Sequence, residues 1–376
     1  MAAVNKVLVV GGGFSGMAAA IQMRRAGMEV DLVEIDPHWC PLGAGITING
    51  ATLRALETLG VYGEFVKRGF TSSGVDILSA AGHAIGEIPT PKVVGSDVPG
   101  GGGIMRPELA RMLADATRAA GVSVRLGCTF STIEQDAEQV RVGFTDGSSG
   151  AYDLVVGADG VHSRLRDLLF PEVVPPQYIG QGVWRAVLPR PADLARPRMW
   201  LGQHVKVGVN PVSSSLMYMF ITEDRPVKTH IDEATWPDVV AQLMKPFSDP
   251  FVQALIPLVY AKEAAIDYRP LGNLLVPLPW NRGRVVMIGD TVAATTPHLA
   301  SGAGIGIESG IVLAEELGRS ASLQEALDRF HGRRWERCRM VIQNSERLCR
   351  IEIEGGDKEE HRRIMRESMI ALTQPI

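Results

Sequence analysis

Six residues decide most of what this chain can fold into. Gly11-Gly12-Gly13-Phe14-Ser15-Gly16 stands between an apolar, β-branched run at 6–10 and a helix-forming stretch at 15–26 that Gly27 closes. A short apolar run bounded by glycine reads as a strand buried on both faces. The stretch behind it has the composition of a helix and the glycine that ends one. A second apolar run at 29–35 completes a β-α-β unit. In such a unit Gly11 permits the tight turn, Gly13 lets a pyrophosphate approach the backbone, and Gly16 lets helix and strand pack closely. The free N–H groups and the positive dipole end of the helix then face the phosphates. Glu34, 18 residues beyond Gly16 at the end of the second strand, is placed to accept hydrogen bonds from ribose hydroxyls. Strand, helix and acid in register predict a dinucleotide site.

The rest of the chain is glycine-rich, with 41 glycines in 376 residues. Disorder does not explain the surplus, since 45% of residues are hydrophobic and 21% charged. No Gly-X-Y repeat makes it collagen-like. The glycines are therefore positional. A helix is predicted at 49–60, short alternating strands at 71–98, a helix at 106–120, and strands at 122–126, 139–144 and 153–157. Residues 171–280 are proline-rich with strand-like runs at 182–188, 205–209 and 216–222. They read as a largely antiparallel second sheet. A last buried strand is expected at 284–288 and a charged helical segment at 322–352.

The net charge of −4 argues against a polyanion partner, so no nucleic acid is expected. Cys40, Cys128, Cys338 and Cys349 form no CxxC and no finger spacing, which predicts free thiols and no metal site. The N-terminus enters a strand at once without the apolar core of a signal peptide, and no apolar run approaches 18 residues. A cytoplasmic protein with no membrane contact is expected.

Two further glycine-acid motifs follow buried strands. Gly157-Ala158-Asp159-Gly160 comes behind 153–157, and Gly289-Asp290 behind 284–288, with Pro297 and Gly302-Ala303-Gly304 beyond it. In this order and spacing the chain resembles the FAD-dependent aromatic hydroxylases, single-component flavoprotein monooxygenases with a para-hydroxybenzoate hydroxylase-like fold. It is nearest in flavour to the salicylate and 6-hydroxynicotinate hydroxylase branches. The resemblance implies an α/β fold: a Rossmann-like FAD-binding domain with an inserted, largely antiparallel β-sheet substrate domain and a C-terminal helical segment. The implied boundaries are 1–70, 101–170 and 281–320 for the FAD-binding domain, 71–100 and 171–280 for the substrate domain, and 321–376 for the helical segment.

The resemblance also implies roles. Asp290 would hydrogen-bond the ribityl chain of FAD, for which a carboxylate is a suitable acceptor. Gly302, Ala303 and Gly304 would open a helix aimed at the flavin edge that becomes negative on reduction, where N–H groups and dipole stabilise the anion and a side chain would block the approach. Pro297 would lie beside the reactive C4a edge. Arg106 matches the arginine that reaches the flavin tail, Asp159 and Gly160 the segment near both FAD and the passing pyridine nucleotide, and Gly45 the loop along the ring. Taken singly, Asp290 is equally a helix cap, Arg106 a surface charge and the glycines turns. Two departures stand out. Many relatives follow the GD pair with Ala-Ala-His, whereas this chain has Thr291-Val292-Ala293, and a later Glu-Asp pair is Glu308-Ser309.

The only strand-bound GxGxxG is the N-terminal one, so NADH or NADPH would bind transiently without a Rossmann domain of its own. The implied reaction runs through a C4a-hydroperoxyflavin that transfers oxygen to an electron-rich aromatic or N-heteroaromatic ring, the flavin carrying the hard chemistry. A base that ionises a phenol or hydroxypyridine is then needed. His204 is the catalytic candidate, because the resemblance implies a strand there in which related hydroxypyridine and salicylate enzymes often carry a pocket histidine, a residue type suited to proton transfer; a surface or structural histidine is the alternative. Thr47, Arg185, Tyr218 and Pro297 are the substrate-side candidates, and Arg185 would suit an aromatic acid. The partners implied are a small aromatic, O2 and NAD(P)H, with the protein a monomer or homodimer. A flavin reductase or halogenase on the same scaffold is one alternative, although Trp-x-Trp-x-Ile-Pro is absent. A non-catalytic FAD-binding redox sensor is another.

Overall fold

The computed structural model describes residues 4–39 and 43–376, so Cys40 and the first three residues lie outside the described residues. Lys6–Val10 runs parallel to Glu29–Glu34 on one side and to Leu154–Gly157 on the other. Val7, Leu8 and Val9 are fully buried, as a strand covered on both faces requires. Phe14–Arg25 is the crossover helix, and the chain turns out of it at Gly27, whose φ is 89°.

The sheet has six strands in the order Asn281–Arg282, Val285–Met287, Leu154–Gly157, Lys6–Val10, Glu29–Glu34, Ser123–Leu126. All neighbours after the first pair are parallel. From Lys6–Val10 the chain fills one side first and reaches the other only at Leu154, so the strand order reverses beside the first strand. Open α/β sheets bind ligands outside the carboxyl ends at such a reversal. Those ends carry Gly11 to Gly16, Glu34, Gly157 to Gly160, and Gly289-Asp290.

A second sheet of eight strands takes its chain from both sides of the helix Arg106–Ala119. Its order is Ala293–Ala294, Asp267–Leu275, Gln177–Pro189, Leu216–Asp224, Val205–Pro211, Arg198–Leu201, Val75–Ser79, Ala84–Ile88. All pairs are antiparallel except Arg198–Leu201 with Val75–Ser79. Side chains alternate between its faces. Trp184, Ala186, Val207, Val209, Met217, Met219 and Ile221 form one buried face with the helices Trp236–Met244 and Pro250–Leu255. Arg185, Lys206, Asn210, Tyr218 and Phe220 belong to the other face, toward the first sheet. The sequence reading has no helices in this block. Both open with Pro at N1 or N2, where its missing N–H costs nothing, so prolines that read as strand breaks start helices instead.

The Gly100 to Gly103 run carries a strand that falls between the stretches the sequence reading places. Gly101–Met105 is the middle strand of a three-stranded sheet, between Gly45–Asn49 and Phe70–Ser72. A Cβ on Gly100, Gly102 or Gly103 would lie 1.9, 2.7 or 2.4 Å from a carbonyl oxygen of Thr90, Phe70 or Pro211. These glycines clear space for protein backbone and not for a ligand. Leu323–Glu354 is one helix and Lys358–Thr373 another, both within 321–376. Among the described residues no helix is long and apolar enough to cross a membrane, and no group of three or more His, Cys, Asp or Glu could hold a metal ion.

Candidate active site

The phosphate end is built from the first β-α-β unit. Gly11 has a φ of 105°, a left-handed value that glycine adopts without strain. A Cβ there would sit 2.3 Å from the Ala158 carbonyl oxygen, and one on Gly16 would sit 2.0 Å from that of Gly11. A Cβ on Gly13 would meet nothing within 4 Å. The helix Phe14–Arg25 has no side-chain cap and no acidic residue in its first turn, so its N–H groups are left for an anion. Glu34 accepts from the backbone N–H of Gly12 at 2.6 Å and of Asp36 at 2.8 Å. Trp39, which carried no signal in the sequence, donates from Nε1 to the Gly12 carbonyl at 2.7 Å beneath the Arg118 guanidinium. The open space at Gly13 and the uncapped helix fit the pyrophosphate of FAD.

A second uncapped helix, Gly302–Arg319, starts opposite and also lacks an acid in its first turn. Its start is tied to the neighbouring helix by Asn49, which donates from Nδ2 to Ser301 Oγ at 2.8 Å and accepts from Thr52 N at 3.0 Å. Gly302 and Ala303 are half-buried at this end. Gly304 answers to a different demand. Its Cβ would lie 2.3 Å from Thr52 Oγ1, and that of Gly306 2.3 Å from Ser15 Oγ, so both are glycine for protein packing. Thr52 thus accounts for the absence of a side chain at Gly304.

Asp290 and Arg106 face each other across the opening. Both are exposed to the cleft yet walled in by protein. Burial pushes the Asp290 carboxyl up, against the pull of Arg106. Burial lowers Arg106, against the pull of Asp290, with Arg185 and Arg269 nearby. The guanidinium lies 5.3 Å over the Phe14 ring. Asp159 is occupied within the protein: it accepts from Ser163 Oγ at 2.5 Å, Leu165 N at 3.1 Å and Thr291 Oγ1 at 3.4 Å. Gly160 has a φ of 85°, no protein atom within 4 Å of a Cβ position, and an N–H that donates to Thr291 at 3.2 Å. Thr291, noted as a departure from the family pattern, thus holds the two glycine-acid segments together.

The sheet face supplies the remaining wall. Tyr218 is buried, its Cβ 2.4 Å from where a Gly45 Cβ would be, so Gly45 is required by Tyr218. The Tyr218 hydroxyl accepts from Arg185 Nε at 3.2 Å, and Arg185 Nη1 lies 3.4 Å from Asp267. Burial raises the Tyr218 phenol despite Arg185, which keeps it a hydrogen-bond donor. Thr47 accepts from Asn210 Nδ2, joining the Gly45–Asn49 strand to the sheet. Pro297 is exposed in the short turn Pro297–Leu299. His204 does not join this group. It sits in the turn before Val205, not in a strand, with its side chain 59% exposed and Nδ1 2.9 Å from Asp224. The structure brings Thr47, Arg185, Tyr218, Arg106 and Asp290 together and leaves His204 outside this group, on an exposed turn.

An FAD-type phosphate site, a second helix N-terminus and a sheet face across the cleft define a flavoprotein of the two-layer kind. Residues 5–345 match the FAD binding domain family, and the chain belongs to it. Among its relatives is YetM of Bacillus subtilis (strain 168), 30% identical over 94% of this chain and 95% of its own length. The FAD-dependent urate hydroxylase of Klebsiella pneumoniae is 27% identical over 92% of this chain and 90% of its own. The crystal structure of Klebsiella pneumoniae HpxO with FAD and uric acid superposes with a TM-score of 0.83, covering 98% of this chain and 92% of that one at 23% identity. The chain is a flavoprotein monooxygenase with FAD as its cofactor.

Proposed function

We propose that the protein hydroxylates a small, ionisable aromatic or N-heteroaromatic ring with NAD(P)H and O2, and that the face of the eight-stranded sheet is its substrate side. The observation that carries this reading is the convergence of Arg185, Tyr218 and Thr47 on the cleft that also holds Asp290, Arg106 and the start of Gly302–Arg319. Bound FAD supplies the activation of O2 with electrons taken from NAD(P)H. Gly13 and the uncapped helix end would hold its pyrophosphate, Glu34 its ribose and Asp290 its ribityl chain. The free N–H groups at Gly302 and Ala303 would face the ring edge that gains negative charge.

The protein residues do the rest. Tyr218, kept protonated, donates a hydrogen bond to an acceptor on the substrate, and Arg185 fixes the direction of that hydroxyl. Phe220 and Pro297 supply apolar surface that keeps water from the reacting atoms. The urate, hydroxypyridine-carboxylate and quinolone rings named for relatives are all electron-rich heteroaromatics, and a ring of that class suits this wall. The described cysteines Cys128, Cys338 and Cys349 are all free and buried, which supports a reducing, cytoplasmic setting.

The test is NAD(P)H oxidation and oxygen uptake by purified FAD-loaded protein across a panel of hydroxylated aromatics and N-heteroaromatics. Slow oxidation alone and oxidation accelerated at least about tenfold by a panel member, with one oxygen atom in the product, is the expected result. A panel with no accelerating member refutes the hydroxylase reading.

A further inference from the structure

His204, the base that the sequence offers, lies on an exposed turn against Asp224. Two residues further along the chain is Lys206. Val207 and Val209 are buried on the helix-covered face, so Lys206 and Asn210 share the cleft face with Tyr218 and Phe220. Between them Gly208 has no side chain because the Phe220 ring occupies that space; a Cβ there would lie 2.1 Å from Phe220 Cζ.

Lys206 does not hang free. Its Nζ lies 2.8 and 2.9 Å from the two carboxylate oxygens of Glu352, near the end of Leu323–Glu354. That carboxylate is itself held from three other directions: His361 Nε2 at 3.2 Å, His298 Nε2 at 3.3 Å and Gln181 Nε2 at 3.5 Å. His298 directly follows Pro297, its side chain is 1% exposed, and its Nδ1 is 2.9 Å from Thr296 Oγ1. Lys206 thereby meets the cleft turn on one shared acid. Its own side chain is 16% exposed and that of Glu352 22%. Asp224 and Cys349 are the other titratable groups nearby. An ammonium has three donors, and Glu352 takes two. Among the described residues no protein partner takes the third.

The other acid hub of the C-terminal helices shows what a purely structural clamp looks like here. Glu308 is surrounded by Arg334, Arg337 and Arg54, planar groups that do not give up a proton. The Glu352 hub instead uses one lysine and two histidines, and it abuts the cleft. Burial would raise the Glu352 carboxyl, yet Lys206 and His298 hold it well below the usual range, so it stays an anion that fixes the ammonium in place.

We propose that Lys206 is the group that binds the deprotonated oxygen or nitrogen of the substrate ring, and that Glu352 is a positioning residue that aims it. The inference rests on the hydroxylase reading. In this step the ring O–H or N–H is ionised, its proton leaves to solvent, and the free N–H of Lys206 donates to the resulting anion.

4-Nitrophenol is the probe, because its ionisation is read directly from its absorbance. With FAD-loaded protein at a pH where the free phenol is mostly neutral, the bound probe is expected as the phenolate. Lys206→Met should reduce the bound phenolate about tenfold, the worth of one hydrogen bond to a charged group. Lys206→Arg should keep most of it, and Glu352→Gln should give an intermediate loss with FAD still bound. Absence of bound phenolate in the parent protein, or equal phenolate in Lys206→Met, overturns the assignment. The hydroxylated-ring panel separates the two levels. A panel that accelerates NAD(P)H oxidation while the nitrophenol signal fails removes Lys206 alone; a panel with no accelerating member removes both.

Discussion

At the scale of single residues, the glycines of the first motif separate into those that serve the fold and one that faces open space. Gly16 has the Gly11 carbonyl oxygen 2.0 Å from its Cβ position, whereas Gly13 has nothing within 4 Å. Gly16→Ala should therefore cost about 2 to 3 kcal/mol of stability, read by urea unfolding without cofactor. Gly13→Ala should leave that curve unmoved and weaken FAD binding by about tenfold or more, since the space it fills belongs to the pyrophosphate. Equal FAD affinity in Gly13→Ala and parent protein would show that the pyrophosphate lies elsewhere. His331 gives a second residue-scale expectation. Burial, only partly opposed by Asp328, lowers its imidazole from 6.5 to about 4, and Nε2 accepts from the Trp280 backbone N–H at 3.2 Å. The native ring is then neutral where the unfolded one takes a proton, so stability is full above about pH 6.5 and falls as pH drops toward 4. The span is worth about 3 kcal/mol at most. His331→Gln should flatten the dependence of unfolding free energy on pH in that window, and an unchanged slope would assign the loss to other groups.

At the scale of elements, Gly302–Arg319 and Leu323–Glu354 are locked by Glu308, whose side chain is 1% exposed. Its oxygens meet Arg337 at 2.7 and 2.8 Å and Arg334 at 3.1 Å. Arg337 continues to the Leu372 carbonyl at 2.9 Å, drawing in the last helix. Burial would raise the Glu308 carboxyl, but Arg334 and Arg337 lower it. Glu308→Gln leaves Arg334 charged in the interior and should cost about 3 to 5 kcal/mol, measured by thermal or urea unfolding. A loss under about 1 kcal/mol would mean that the clamp relaxes into solvent. Ser309, where the family pattern places an acid, accepts from Arg334 Nε at 3.2 Å and donates to the Ile305 carbonyl at 2.8 Å, so a hydroxyl fills the place within this network.

The same scale explains what the amino-acid sequence revealed and what it hid. The parallel strands were legible because burial on both faces demands apolar runs, as in Lys6–Val10 and Leu154–Gly157. Gly101–Met105 was hidden, since glycine disfavours strands and only the carbonyls of Phe70 and Pro211, against Gly102 and Gly103, explain its use there. The helices Trp236–Met244 and Pro250–Leu255 were masked by prolines that sit at their first turns. In the site, Asp290, Arg106 and Gly13 were marked by motifs. Lys206 and Glu352 were not, because they lie 146 positions apart and the two-residue period that separates Lys206 from His204 means nothing until the strand's buried face is known.

At the scale of the molecule, polar ties run between the two large sheets beside the cleft. Thr47 and Asn210 link the Gly45–Asn49 strand to the eight-stranded sheet, and Asn49 links it to Ser301. An FAD spanning from Gly13 to Gly302 would touch every element in this chain of contacts. Binding energy for the native state then adds to stability by mass action, about 3 kcal/mol when free FAD is a hundredfold above its Kd. The gain should be local in its signature. Backbone amides at 11–16, 45–49 and 302–306 should become more protected from hydrogen exchange on adding FAD. Those of Trp236–Met244 and Pro250–Leu255, which pack on the far face of the eight-stranded sheet, should change only as far as global unfolding governs them. A melting temperature that rises with FAD while 45–49 keeps its exchange rate would place the cofactor away from the junction and leave the two sheets joined by protein contacts alone.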